Sequence, residues 1–125
     1  MIVALALVLV GCAPEDTDPQ ECVHDPVLTY ENFGEGFMTQ YCVACHSSQL
    51  PDLVLRNDAP LGIDLDTYAM VLQWKERIKA RSQYGIDAPM PPGGGPREAE
   101  FVVLQEWLAC DAQDDWDQVY GGGAP

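Results

Sequence analysis

An all-α domain of three main helices is the fold class this sequence predicts, on three observations. Phe33, Phe37 and Tyr41 stand four apart and make one helical stripe between about Tyr30 and Cys42. A second periodic run, with Tyr68, Val71, Leu72 and Ile78 as its apolar stripe, reaches about Ser82. A third begins at Pro96 and ends near Ala109, with Phe101, Leu104 and Leu108 on one stripe and Val103, Trp107 and Cys110 on its neighbour.

Each element carries its own local signals. In the first helix Gly34 and Gly36 each cost up to ~1 kcal/mol relative to alanine, and small residues there mark a close helix crossing. Residues 47–65 contain Pro51, Pro60 and Gly62 and read as a loop. Asp64 or Asp66 is expected to cap the second helix by accepting from its free N–H groups. Lys75, Arg77, Lys79 and Arg81 gather in its last two turns, where positive charge suits the negative helix end. Pro96 suits the first turn of the third helix, with Glu98 and Glu100 at its positive end. Trp107 is expected to be core packing.

Twenty acidic residues against six basic ones give a net charge of -14. Nucleic acid is thereby excluded as a partner, because binding it requires cations that displace condensed counterions, and no basic patch exists for anionic lipid. The five cysteines, Cys12, Cys22, Cys42, Cys45 and Cys110, are many for a reducing compartment and ordinary for an exported protein. Residues Ile2 to Val10 form an apolar run too short to span a bilayer and of signal-peptide length. Leu9-Val10-Gly11-Cys12 resembles the bacterial lipoprotein signal, with Cys12 as the lipidated residue, although no Lys or Arg precedes the run. The alternative is an ordinary secretory signal with an incidental cysteine; export follows from either. The expected organisation is a signal peptide over 1–11, a lipid-anchored acidic tether over 12–28, the helical domain over 29–112 and a flexible acidic, Gly-rich tail over 113–125. Drawn out, residues 13–28 reach roughly 50 Å at about 3.3 Å per residue. The expected location is the periplasm or cell envelope, with the membrane reached through the lipid alone.

The segment that carries chemistry is Tyr41-Cys42-Val43-Ala44-Cys45-His46, a C-x-x-C-H pattern of the kind that attaches haem c. Two thiols three positions apart at a helix end can add to the two vinyl groups on one haem edge. The next residue then lies beneath the iron, so His46 is the expected proximal ligand. Three alternatives compete. A zinc site needs a fourth ligand, and His24 is the only other histidine. A thioredoxin-like dithiol needs a strand before its first cysteine, and the residues before Cys42 are not strand-like. A Cys42–Cys45 disulfide leaves His46 unexplained.

For a sixth ligand, Met38 sits on the attachment helix itself and Met70 inside a helix where burial is the usual fate. Met90 lies in Ala88-Pro89-Met90-Pro91-Pro92-Gly93-Gly94-Gly95, a proline-stiffened loop that fixes the backbone on both sides of one thioether. On Cys42, Cys45, His46 and Met90, over about residues 27–111, the chain resembles the class I cytochromes c in their compact bacterial form. That resemblance implies a cytochrome c fold, with three helices around one covalent haem c, and a first helix that crosses the last. It implies Met90 as the distal iron ligand; the alternative is that Met90 only packs against the haem edge. It implies a loop proline carbonyl, Pro51 or Pro60, orienting the His46 ring. Since the crossing helices are flanked by Cys22 and Cys110, it also implies a possible disulfide between these two. One or two of Lys75, Arg77, Lys79 and Arg81, with Arg56 or Trp74, are candidates for the haem propionates; the alternative is a solvated helical face.

The function these features point to is single-electron transfer between exported redox proteins, not catalysis. An acidic surface favours a partner with a basic docking patch and an association that weakens with salt. The rival classes are a haem enzyme subunit and a gas-binding sensor, both of which need a displaceable sixth ligand.

Overall fold

Thr29 opens the helical part of the chain. Its hydroxyl accepts from the Asn32 N–H at 3.2 Å while its own N–H donates to Asn32 Oδ1 at 2.7 Å, a reciprocal cap that satisfies two otherwise orphaned donors. A π-helical turn, Tyr30–Gly34, follows and runs directly into α1, Glu35–Tyr41. The first predicted helix thus has the expected span, with a wider opening turn. The remaining elements are α2, Tyr68–Arg81, and α3, Glu98–Ala109. The computed structural model describes residues 22–112 and Asp115. The signal segment, Cys12 and most of the 113–125 tail lie outside the described residues. Among the described residues there are three α-helices and no strand, and no helix is long and apolar enough to cross a membrane.

Trp107 is the hub of the core. It has no exposed surface, and Tyr30, Phe33 and Tyr68 surround its ring at centroid separations of 6.3, 5.9 and 6.4 Å. Tyr30 in turn stacks on Tyr68 at 4.4 Å, so one indole joins the first and second helices to α3. The first helix can approach this closely because of Gly34. A Cβ placed there would lie 2.5 Å from the Trp107 ring, whereas one at Gly36 meets nothing within 4 Å. Gly34 therefore marks the crossing, and Gly36 does not. Gly34→Ala is expected to destabilise the protein by about 1–3 kcal/mol through overpacking. Gly36→Ala should instead add up to ~1 kcal/mol of helix propensity. Urea midpoints of the two variants check this, and equal responses at both positions would contradict the crossing.

Two local signals resolve differently from the sequence expectation. Thr67 caps α2, its hydroxyl accepting from the Met70 N–H at 3.4 Å, while both aspartates are engaged across the loop: Asp66 accepts from the Ser48 N–H at 2.6 Å and Asp64 from Arg56 at 2.8 Å. At the third helix, Pro96 precedes the first turn, and Glu100 folds back to accept from the Arg97 N–H at 2.9 Å. The expected buried stripe of α2 holds, with Val71, Leu72 and Ile78 all in the core. Lys75 joins that stripe at 4 % exposure, its ammonium donating to Glu76 at 2.8 Å, so it is not part of a solvated face.

At the far end of α3 the chain is closed on itself. Cys22 and Cys110 form a disulfide across 88 residues of sequence, with Cα atoms 6.0 Å apart. Beside it Glu106, buried in α3, accepts from the Val23 N–H at 2.8 Å, the His24 N–H at 2.9 Å and His24 Nδ1 at 2.6 Å. Residues 22–24 of the acidic segment are thus fastened to α3. From the tail, Asp115 accepts a short hydrogen bond from the Tyr68 hydroxyl.

Candidate functional site

The end of α1 shapes the C-x-x-C-H segment. Cys42 is its cap, the N–H donating to Met38 O at 2.9 Å, and the N–H groups of Cys45 and His46 both return to Cys42 O, at 3.1 and 2.9 Å. The motif is thereby wound into one turn past the helix. Cys42, Cys45 and His46 all line a single cavity of about 400 Å³, a volume suited to a cofactor or small ligand.

Met90 reaches the same cavity from a different stretch of chain. Its N–H donates to Arg81 O at 2.8 Å, and Arg81 Nη2 donates to Ala88 O at 2.8 Å, so the proline loop is pinned to the C-terminal end of α2. At Gly95 a Cβ would sit 2.6 Å from the Pro91 ring; the loop folds tightly enough to require glycine there. Met38 is buried in the core at 1 % exposure and Met70 is half-buried on α2. Neither lines the cavity.

His46 is held at two points. Its ring Nδ1 donates to Ile63 O at 2.9 Å, and its carbonyl accepts from the Leu65 N–H at 2.8 Å. With Nδ1 committed as donor, Nε2 is the nitrogen left with a lone pair for a metal. The orienting carbonyl therefore belongs to Ile63, neither to Pro51 nor to Pro60. The Pro60 carbonyl instead accepts from Arg56 Nη2 at 2.9 Å.

Arg56 differs most from its sequence reading. It is 1 % exposed, and each of its five N–H donors is used within the loop: Nε to Ala59 O at 3.2 Å, Nη1 to Ser47 O at 2.6 Å and Asp64 Oδ1 at 2.8 Å, and Nη2 to Pro60 O and Ile63 O at 2.9 and 2.8 Å. No donor remains for a ligand carboxylate, because the guanidinium has only five. Of the other cationic candidates, Arg77 and Arg81 line the cavity together with Trp74, while Lys75 and Lys79 do not.

The chemistry of the donor set distinguishes the alternatives. Cys42 and Cys45 are both free thiols, so no disulfide joins them. Burial, with the neighbouring Cys45 adding to it, pushes the Cys42 thiol up to about 12. A redox-active dithiol works through a depressed thiol pKa, which is the opposite of this environment. His24, the fourth ligand a zinc site would need, is held on Glu106 through Nδ1 and does not line the cavity of Cys42, Cys45 and His46. Two thiols, one imidazole with a free Nε2 and one thioether, set among aliphatic side chains such as Ile63, Leu65 and Ile78 with two arginines, fit a flat apolar macrocycle bearing carboxylates and a metal. Sequence reasoning missed Ile63, Leu65 and the true place of Arg56. A backbone carbonyl has no signature in sequence, and only the loop's closure brings these groups to His46.

No family model, no curated protein and no solved structure matches this chain.

Proposed function

We propose that this protein is a mono-haem c-type cytochrome that transfers single electrons, in the manner of the class I cytochromes c. One observation carries the reading: Cys42, Cys45 and His46 at the end of α1, and Met90 beyond α2, line the same cavity. Haem, when bound, supplies a one-electron couple. The chain's own residues do the rest. Cys42 and Cys45 would hold the macrocycle, each through a thioether formed by addition of its S–H across one vinyl group. His46 presents Nε2, its ring orientation set by Ile63 O, and Met90 presents its thioether from a loop pinned at Arg81. Arg77 and Arg81, with Trp74, face the cavity as partners for the two carboxylates. A sulfur ligand favours the reduced state and raises the potential. With a net charge of -14, the redox partner that fits presents a basic face. Export to the periplasm or cell envelope, with a lipid on Cys12, belongs to the same reading.

The test is the absorption spectrum of protein produced with haem-attachment machinery. The expected result is pigment that stays with the polypeptide in acidified organic solvent. The oxidised form should show a thioether-iron charge-transfer band, and the reduced form should bind no carbon monoxide. Met90→Ala should then admit carbon monoxide and lower the potential. Extractable pigment, or an intact mass without the tetrapyrrole, rules out the covalent haem. High-spin iron in the unmutated protein moves the function to the enzyme or sensor class.

A further inference from the structure

We infer that Arg56 is a positioning residue for His46, acting through the Ile63 carbonyl that both of them share, and that it sets how strongly the imidazole donates to iron. This rests on the haem reading above. Ile63 O accepts from His46 Nδ1 at 2.9 Å and from Arg56 Nη2 at 2.8 Å, so both lone pairs of that oxygen are in use. Arg56 does not line the cavity and has almost no contact with solvent. Its influence on the site therefore passes through the hydrogen bonds it makes.

The physical consequence follows from competition for one acceptor. A hydrogen bond from the ring N–H of a metal-bound histidine to a carbonyl makes the imidazole a stronger donor, in proportion to the basicity of that carbonyl. A guanidinium bonded to the same oxygen draws electron density from it, and inside a protein little water screens the effect. The His46 ring is then less imidazolate-like, donates less to the metal and favours the reduced form. Asp64, 2.8 Å from Nη1 and partly solvent-facing, moderates the charge from the other side.

A scaffold role for Arg56 makes the opposite forecast. If the arginine only tied the loop together, its removal would let the Ile63 carbonyl drift away, weakening the His46 hydrogen bond. If it drains that carbonyl, removal frees a better acceptor and strengthens the bond. The signs differ, and the iron-histidine stretching band reports which is right.

The experiment is resonance Raman spectroscopy of the full haem-bearing chain, reduced, in a Met90→Ala background that leaves His46 as the protein's ligand to iron. Arg56→Gln is expected to raise the iron-histidine stretching frequency, and Arg56→Lys, which keeps a cation near Ile63 O, to restore it in part. In the background with Met90 intact, Arg56→Gln should lower the reduced-to-oxidised ratio at a fixed applied potential by roughly tenfold, the scale of outer-shell effects at metal sites, or ~59 mV for one electron. Asp64→Asn keeps an acceptor oxygen but removes the countercharge, and it should lower the frequency; it serves where Arg56→Gln yields no folded protein. A frequency that is unchanged or falls in Arg56→Gln, or is unchanged or rises in Asp64→Asn, overturns the inference while leaving the haem reading intact. Chains that carry no covalent pigment at all overturn the haem reading and this inference with it.

Discussion

Trp107→Ala is expected to lower the unfolding free energy by about 3–5 kcal/mol. The indole is fully buried and is touched by Tyr30, Phe33 and Tyr68, with Gly34 closing the gap beneath it. Its ring contacts come from the π-helical turn, through Tyr30 and Phe33, and from α2, through Tyr68, so removing the indole empties the seam between these two elements and α3. A small domain has a total stability of roughly 5–15 kcal/mol, so this one truncation should remove a large share of it. Trp107→Phe should lose less, since an aromatic plane still meets Phe33 and Tyr30. Chemical denaturation measures both. A loss under about 1 kcal/mol for the alanine variant would mean that the helices are held together elsewhere.

The second large effect is expected at the disulfide. With Cys22 and Cys110 separated by 88 positions, the chain-entropy model assigns the closed loop about 4.5 kcal/mol, and Cys22→Ser with Cys110→Ser should lose most of it. In that double variant the residues after position 22 remain fastened mainly through Glu106. Burial pushes the Glu106 carboxyl up, but the hydrogen bonds from the His24 N–H, the His24 ring and the Val23 N–H outweigh it, so its pKa lies below the usual 4.5. A carboxyl lowered by folding stabilises fully above its unfolded value, and the contribution disappears as pH falls through the folded value. The double variant should therefore lose further stability as pH is taken below about 4.5, and adding Glu106→Gln should flatten that slope. A slope that Glu106→Gln leaves unchanged assigns the acid sensitivity to other carboxylates.

How much of this was legible in the sequence depended on the range of the interaction. Phe33, Phe37 and Tyr41 announced the first helix because their partners are one turn away. Cys42, Cys45 and His46 announced a site because they stand within five residues of one another, and one turn past α1 brings them to the same cavity. Met90 was readable from the prolines around it. Arg56, a candidate for ligand carboxylates by sequence, was not, because the oxygens of Ser47, Ala59, Pro60, Ile63 and Asp64 that take its donors gather around it only when the loop closes. Glu106 resembles any exposed glutamate until residues 22–24 return to it. Asp64 and Asp66 had the composition of a helix cap, but Arg56 and Ser48, distant in sequence, claimed them and left the cap to Thr67.

The loop over 51–62 is organised inside out. Its centre is a guanidinium ringed by oxygens, while Leu53, Val54, Leu55 and Leu61 face outward at 47, 87, 57 and 59 % exposure. Greasy side chains in this segment contribute little to its cohesion, and a polar replacement among them should leave its shape alone. They govern how the particle behaves toward other particles, a colloidal property. Folding and stickiness are thus assigned to different residues of one short segment, so selection or engineering can change the second without disturbing the first.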